Sequence, residues 1–223
     1  MNFDTLKNID LEDLSIPIKP LRKGELASEY SARIIDYSKG KFADTDRVIN
    51  PYNSTHTHGV NCYDRLLEYI HQNPPQGNII DMGCGSGELL HFIGNTSNIE
   101  NERLYGTTIC IGEVKYARDI YKLENVIPGD MRNCDEIFDK TRFDIIIFHC
   151  VFQFITEEDR IETMIKASSI LNDNGCILVV DYKDNPCAIL PNSKLLNEYF
   201  TTEIVGDNDI KSMGLITKFK KNG

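Results

Sequence analysis

Ile80-Asp81-Met82-Gly83-Cys84-Gly85-Ser86-Gly87-Glu88 is the stretch whose reading decides the fold. Upstream, Asn78–Met82 is a short apolar run of the kind found in a strand buried on both faces. Downstream, Ser86–Gly94 has helical character. Between them lies a bend of glycines, which allow positive φ and let a backbone approach a ligand closely. A strand, a glycine bend and a helix in that order predict a ligand site outside the carboxyl end of a strand in an open α/β sheet.

The same alternation continues outward. Arg103–Ile109 reads as a second strand, and Ile111–Leu123 as a helix with Ile111, Val114, Ala117, Ile120 and Tyr121 on one face. Asn125–Pro128 is a brief third strand and Phe143–His149 a continuous fourth. Thr156–Asn172 is a helix whose opening Thr156 and Asp159 resemble a capping box, and Asn172-Asp173-Asn174-Gly175 stops it. Cys176–Tyr182 is a fifth strand. Ser193–Phe200 is a helix, and Thr201–Val205 with Met213–Lys220 form a terminal hairpin. The fold class predicted is α/β: a Rossmann-like, doubly wound, seven-stranded, mostly parallel sheet with a C-terminal antiparallel hairpin. Residues 76–223 make this core. Residues 1–75 are expected to form an N-terminal helical lid over the substrate, with helices at Glu25–Tyr37 and Asn61–Gln72 and a polar connection between them.

Composition narrows the function. The chain of 223 residues carries a formal net charge of −10, and the basic cluster of Lys19, Arg22 and Lys23 is small against it. Nucleic acid demands a basic footprint, so it is a poor candidate partner. No apolar run is long enough to span a membrane, and the N-terminus lacks the pattern of a secretory signal. Seven cysteines without C-x-x-C spacing read as reduced, mostly buried thiols of a cytoplasmic protein, and no metal site is expected.

The bend discriminates between two ligand classes. Dinucleotide sites favour G-x-G-x-x-G, with a helix N-terminus facing a pyrophosphate. Here the third glycine comes one residue early, and Asp81 stands two residues before the first. A carboxylate there repels a pyrophosphate and suits a ligand with a cationic end. This argues against a nucleotide-dependent oxidoreductase.

Asp81-x-Gly83-x-Gly85-x-Gly87 on such a unit resembles motif I of the class I S-adenosylmethionine-dependent methyltransferases. The resemblance extends over roughly residues 58–182. It implies that Asp81, Gly83, Cys84, Gly85 and Gly87 line the methionine end of S-adenosylmethionine, whose demethylated product is S-adenosylhomocysteine. The family's second strand usually ends in an acid that holds the ribose; here Thr108 stands there, followed by Ile109. That departure is similar to the branch of cyclopropane synthases and sterol and tocopherol C-methyltransferases, where a Gln follows. Glu113 takes the place of that Gln, so Thr108 and Glu113 are expected to share the ribose. Asp130 and Met131, after the third strand, match the adenine segment, where the acid accepts from the amino group and its neighbour packs on the ring. His58-Gly59 resembles a segment that lies ahead of motif I in the same branch. The Glu-His pair that cyclopropane synthases carry after strand four is replaced by Gln153 and Phe154, which argues against cyclopropanation.

The implied chemistry is displacement at an activated methyl carbon, where geometry and exclusion of water do most of the work. A base is needed only when the acceptor keeps its proton at neutral pH. Histidine suits that role. His149, ending strand four, and His58, in the lid connection beside His56, are the candidate catalytic residues. His149 is also a candidate cofactor contact. Tyr30 and Tyr37 share a helix face, placed either to cap the cofactor carboxylate or to line an aromatic acceptor pocket. The expected function is methylation of O, N or C on a small-molecule acceptor, a specialised metabolite or peptide natural product, by a monomer or homodimer. The alternative is a protein that binds S-adenosylmethionine without transferring its methyl group.

Overall fold

The computed structural model describes residues 1–11, 60–152, 155–181, 194–206 and 215–222. The expected helix at Glu25–Tyr37, with Tyr30 and Tyr37, and the residues His56, His58, Gln153, Phe154 and Tyr182 lie outside these. In chain order the elements are α1 (Phe3–Lys7), α2 (Val60–Gln72), β1 (Asn78–Met82), α3 (Glu88–Ser97), β2 (Leu104–Thr108), α4 (Ile111–Tyr121), β3 (Val126–Pro128), α5 (Cys134–Ile137), β4 (Phe143–His149), α6 (Glu157–Ser169), β5 (Leu171–Asp181), α7 (Lys194–Tyr199), β6 (Phe200–Gly206) and β7 (Leu215–Lys221).

The strands form one sheet in the order β3-β2-β1-β4-β5-β7-β6. β1 to β5 run parallel, and β7 enters antiparallel between β5 and β6. The predicted doubly wound sheet and terminal hairpin are therefore both present. Successive strands move outward on one side through β1, β2 and β3. The chain then returns to place β4 on the other side of β1. That reversal opens a crevice above the carboxyl ends of β1 and β4, where open α/β sheets place ligands.

Two apolar layers flank the sheet. On one face Leu66 and Ile70 of α2, Leu89 and Ile93 of α3 and Val114 and Ala117 of α4 pack on Ile79, Ile145, Ile147 and Leu178. On the other, Leu6, Phe138, Met164, Ala167 and Leu196 pack on Ile80, Met82, Ile146 and Phe148. Strand side chains alternate between these layers, so β-branched runs without polar alternation follow from burial on both faces. Among the described residues no helix is long and apolar enough to cross a membrane.

Several boundaries differ from expectation for local reasons. Thr156 is the N-cap of α6, with its hydroxyl accepting from the Asp159 backbone N–H at 3.0 Å, as the sequence predicts. Residues 172–175 do not separate α6 from β5. β5 already pairs at Leu171 with Phe143 and then bulges before Cys176 pairs with Ile145. The bulge is pinned by Asn172, whose side chain donates to Asp144 Oδ1 at 2.6 Å. In α4, Ile120 is 57% exposed, and the inner face is Ile111, Val114 and Ala117. The first helix, α1, was not legible: its five residues bury little beyond Leu6, and Lys7 Nζ donates to Asn125 Oδ1 across 118 residues of chain.

Candidate functional site

β1 ends in Asp81-Met82, and the backbone then turns through Gly83, Gly85 and Gly87 with φ of 80°, 55° and 79°. Two of these positions are closed to other residues sterically as well. A Cβ on Gly83 would lie 2.5 Å from Val151 Cγ2, and one on Gly87 would lie 2.9 Å from Leu123 Cδ1. Gly85 differs: its nearest neighbour would be Glu113 Oε1 at 3.8 Å. The turn is locked to β2 by the Cys84 N–H, which donates to the Thr107 carbonyl at 2.8 Å.

Asp81 is 2% exposed, and among the described residues nothing donates a hydrogen bond to its Oδ1. Burial raises its pKa from 3.8 to about 7. A buried carboxylate with an unmet oxygen is costly. An incoming cationic group would relieve it.

β2 delivers Thr108, whose hydroxyl donates to Glu113 Oε2 at 2.8 Å. The two residues singled out for the ribose thus form one hydrogen-bonded unit, with Glu113 reaching back from the first turn of α4. Burial pushes the Cys84 thiol up, and the carboxylates of Asp81 and Glu113 push it further.

β3 ends at Gly129-Asp130-Met131, tied to β2 by the Gly129 N–H, which donates to the Thr108 carbonyl at 2.9 Å. Asp130 is not idle there. Oδ1 accepts from the backbone N–H and Nε of Arg132, and Oδ2 accepts from Nε and, at 2.6 Å, from Nη2. Arg132, itself buried, also reaches Asp159 of α6 at 3.3 Å. The Asp130 carboxylate, expected to serve adenine, is mostly occupied in fixing the loop that carries the buried Met131.

β4 ends in His149. Its register with β1 places Ile147 beside Asp81, so His149 and Asp81 face the same layer of the sheet from adjacent strands. The residue is half-buried, and its Nε2 is buried with no partner among the described residues. Burial lowers its pKa from 6.5 to about 4, so the imidazole is neutral at physiological pH. The Tyr63 ring of α2 lies 5.0 Å from it and the Phe92 ring of α3 lies 6.2 Å from Tyr63. Cys150 then turns the chain with φ of 51°, a left-handed conformation uncommon outside glycine. Arg160 of α6 braces the loop beyond by donating to the carbonyls of Phe152 and Ile155, each at 2.8 Å.

Asp81, the glycines, Cys84, Thr108, Ile109, Glu113 and His149 therefore gather at the carboxyl ends of β1, β2 and β4, with Asp130 and Met131 following from β3. Sequence reasoning missed Tyr63, Arg132 and Arg160. Tyr63 was within reach, since its helix was expected. The two arginines act through partners brought near by folding.

A family model described as a methyltransferase domain matches residues 74–218. No curated protein matches the chain. Among solved structures, a TehB-like SAM-dependent methyltransferase from Corynebacterium glutamicum superposes with a TM-score of 0.61 at 17% identity, covering 80% of this chain and 100% of that one. The plantazolicin methyltransferase BpumL in complex with SAH gives 0.59 at 16% identity, covering 87% and 97%. A putative rRNA-methylase from Clostridium thermocellum gives 0.53 at 17% identity, covering 72% and 97%. At these identities the likeness is one of fold.

Proposed function

This chain belongs to the methyltransferase-domain family, and we propose that it transfers the methyl group of S-adenosylmethionine to a small-molecule acceptor. The observation that carries the reading is Asp81: a buried carboxylate with an oxygen that has no partner among the described residues, at a strand tip on the switch point, beside a bend of three positive-φ glycines.

In this reading Asp81 takes the ammonium of the cofactor, and the turn of Gly83, Cys84, Gly85 and Gly87 lets the amino-acid part lie against backbone. Thr108, Ile109 and Glu113 hold the ribose. Glu113 keeps acceptor capacity for a ribose hydroxyl after accepting the hydrogen bond from the Thr108 hydroxyl. Met131 packs on the adenine, and Asp130 fixes its loop through Arg132. Tyr30, from the proposed lid of residues 1–75, caps the carboxylate.

When bound, the sulfonium supplies a methyl carbon already activated toward nucleophiles. The protein's part is to align the acceptor and exclude water. His149, neutral and with Nε2 unmet, accepts the proton of an O–H or N–H acceptor, and His58 closes over the site. The net charge of −10 disfavours a polyanionic acceptor such as RNA. A compact metabolite or a peptide natural product fits better.

Incubation with methyl-labelled S-adenosylmethionine and a panel of phenols, carboxylates, amines and small peptides tests the reading, alongside calorimetric binding of the cofactor. Label should appear in a small acceptor and fall about a hundredfold with His149→Gln if the acceptor is protic. Binding without transfer to any panel member would move the protein to the non-transferring alternative. Absence of binding would remove the assignment.

A further inference from the structure

We propose that the chain pairs with a second copy of itself along the outer edge of β6, joining two sheets into one across a two-fold axis. The inference does not depend on the cofactor reading, since β6 ends the sheet beyond β5 and β7, away from the crevice above β1 and β4.

The two edges of the sheet differ. β3 is three residues long, ends in Pro128 and is backed by α1, whose Lys7 Nζ donates to Asn125 Oδ1 at 2.7 Å. Shortness, proline and a covering element are the usual guards of an edge. β6 has seven residues, no proline, and exposed Thr201, Glu203 and Ile204. Among the described residues no strand pairs with its outer side. Tyr199, just before it, and Ile204 within it are large apolar side chains left 42% and 54% exposed. The Asn222 N–H donates to the Tyr199 carbonyl at 2.8 Å, so that carbonyl points to β7 and the N–H of Phe200 points away. Strand alternation then turns the backbone groups of Phe200 and Ile204 outward.

A second copy is the occupant that the charges fit. A two-fold axis normal to the sheet sets the same strand of two copies antiparallel and makes the junction self-complementary. With the axis midway between Phe200 and Ile204, each of these residues faces the other across the junction, and their outward N–H and C=O groups close a ladder. Ile204 then leaves water beside the partner's Phe200. Glu203 falls opposite the partner's Thr201, and Thr201 is paired in register with Lys220 of its own β7. Each Glu203, ion-paired with its own Lys218 at 3.6 Å, therefore has the partner's Lys220 one strand further on, within reach of long side chains. An axis through Glu203 would instead set two carboxylates face to face, which is unfavourable. The net charge of −10 lies elsewhere: β6 and β7 set Glu203 against Lys218, Lys220 and Lys221, so the acids that repel a second copy are not gathered at this edge.

Sedimentation velocity on the full chain from about 1 to about 200 µM tests the proposal. One strand pair is a small interface, so a dimer half-assembled at roughly 10 µM is expected. Ile204→Pro keeps the ladder to β7, because the Ile204 N–H points outward, and should weaken association by about tenfold or more. Glu203→Lys, which sets like charges across the junction, should weaken it by about as much, and it decides the matter alone if the proline variant does not fold by circular dichroism. Ile120→Lys, at an exposed apolar residue of α4, should leave association unchanged. A monomer throughout the range would overturn the proposal. So would a dimer as strong in either folded edge variant as in the parent, or equal weakening by Ile120→Lys.

Discussion

Two buried groups of opposite character lie on adjacent strands of the site, and their effects on stability oppose one another. Asp81 is raised from 3.8 to about 7 in the fold, so between these values the folded chain binds more protons than the unfolded one. Its contribution is present at low pH and lost as pH climbs toward 7. His149 is lowered from 6.5 to about 4, so in that window the unfolded chain binds more protons and stability rises with pH. From about pH 4 to 6.5 the two slopes largely cancel. Asp81→Asn removes one arm. The ligand-free variant should melt about 10 °C higher at pH 8, because ionising Asp81 in the fold costs on the order of 4 kcal/mol. The same variant should lose at least tenfold in affinity for the adenosyl amino acid. A variant less stable than the parent at pH 8 would show that Asp81 is not held at a cost. Gly83 offers a purely steric counterpart. Gly83→Ala meets Val151 Cγ2 and also demands a φ of 80°, so a loss above about 3 kcal/mol is expected in denaturant unfolding. Val151→Ala in the same chain should recover the steric part and leave about 1–2 kcal/mol for the backbone. Asp81 and the glycines were legible in the sequence because their chemistry is local. Arg132 was not, because its value lies in joining Asp130 to Asp159, 29 residues apart in number and adjacent only after α6 packs.

Elements were most legible where one local rule acted alone. Phe143–His149 was read with its correct bounds, since an unbroken β-rich run buried on both faces has one interpretation. The N-cap of α6 was visible for the same reason. The bulge in β5 was hidden, because Asn172-Asp173-Asn174-Gly175 has turn composition and only its clip to Asp144 shows that pairing begins before it. The segment that follows β4 shows how a loop beside the site is held in place. Its start is left-handed, its middle is stacked through Phe152 on Phe148 at 4.6 Å, and its carbonyls are held by Arg160. Arg160→Met leaves two carbonyls without their donor in a region 8% exposed at that residue. Each should cost about 1–3 kcal/mol. Hydrogen exchange should quicken over residues 150–156 and stay unchanged in β1. If exchange in β1 rises equally, Arg160 supports the whole core rather than this loop. Thr156→Ala should cost about 1 kcal/mol by loss of the cap and raise exchange in the first turn of α6 only.

At the scale of the whole molecule, the two ends of the sheet are built differently. The amino ends are stitched: Arg103 donates to the carbonyls of Pro75 and Gly77, Asn78 to that of Arg142, and Asn172 to Asp144. The carboxyl ends hold the unmet atoms of Asp81 and His149, the three positive-φ glycines and the left-handed Cys150. Local rules of polar satisfaction and backbone ease are kept at one end and broken at the other, which is where function is expected in a fold that is otherwise consistent. Stability should follow the same division, with low-energy openings concentrated at the carboxyl ends. A ligand seated in the crevice adds contacts at that end alone, and at a hundred times its Kd it adds about 2.7 kcal/mol to the folded state. Hydrogen exchange with and without S-adenosylmethionine separates the possibilities. Protection should rise by about tenfold or more in segments 83–88, 108–114 and 149–152. Amides near Gly77, Arg103, Asp144 and Asn172 should change only as far as global unfolding governs them. Protection centred on the amino ends would place the ligand away from the switch point. That result would separate the glycine turn from the function assigned to it, even if the ligand bound tightly.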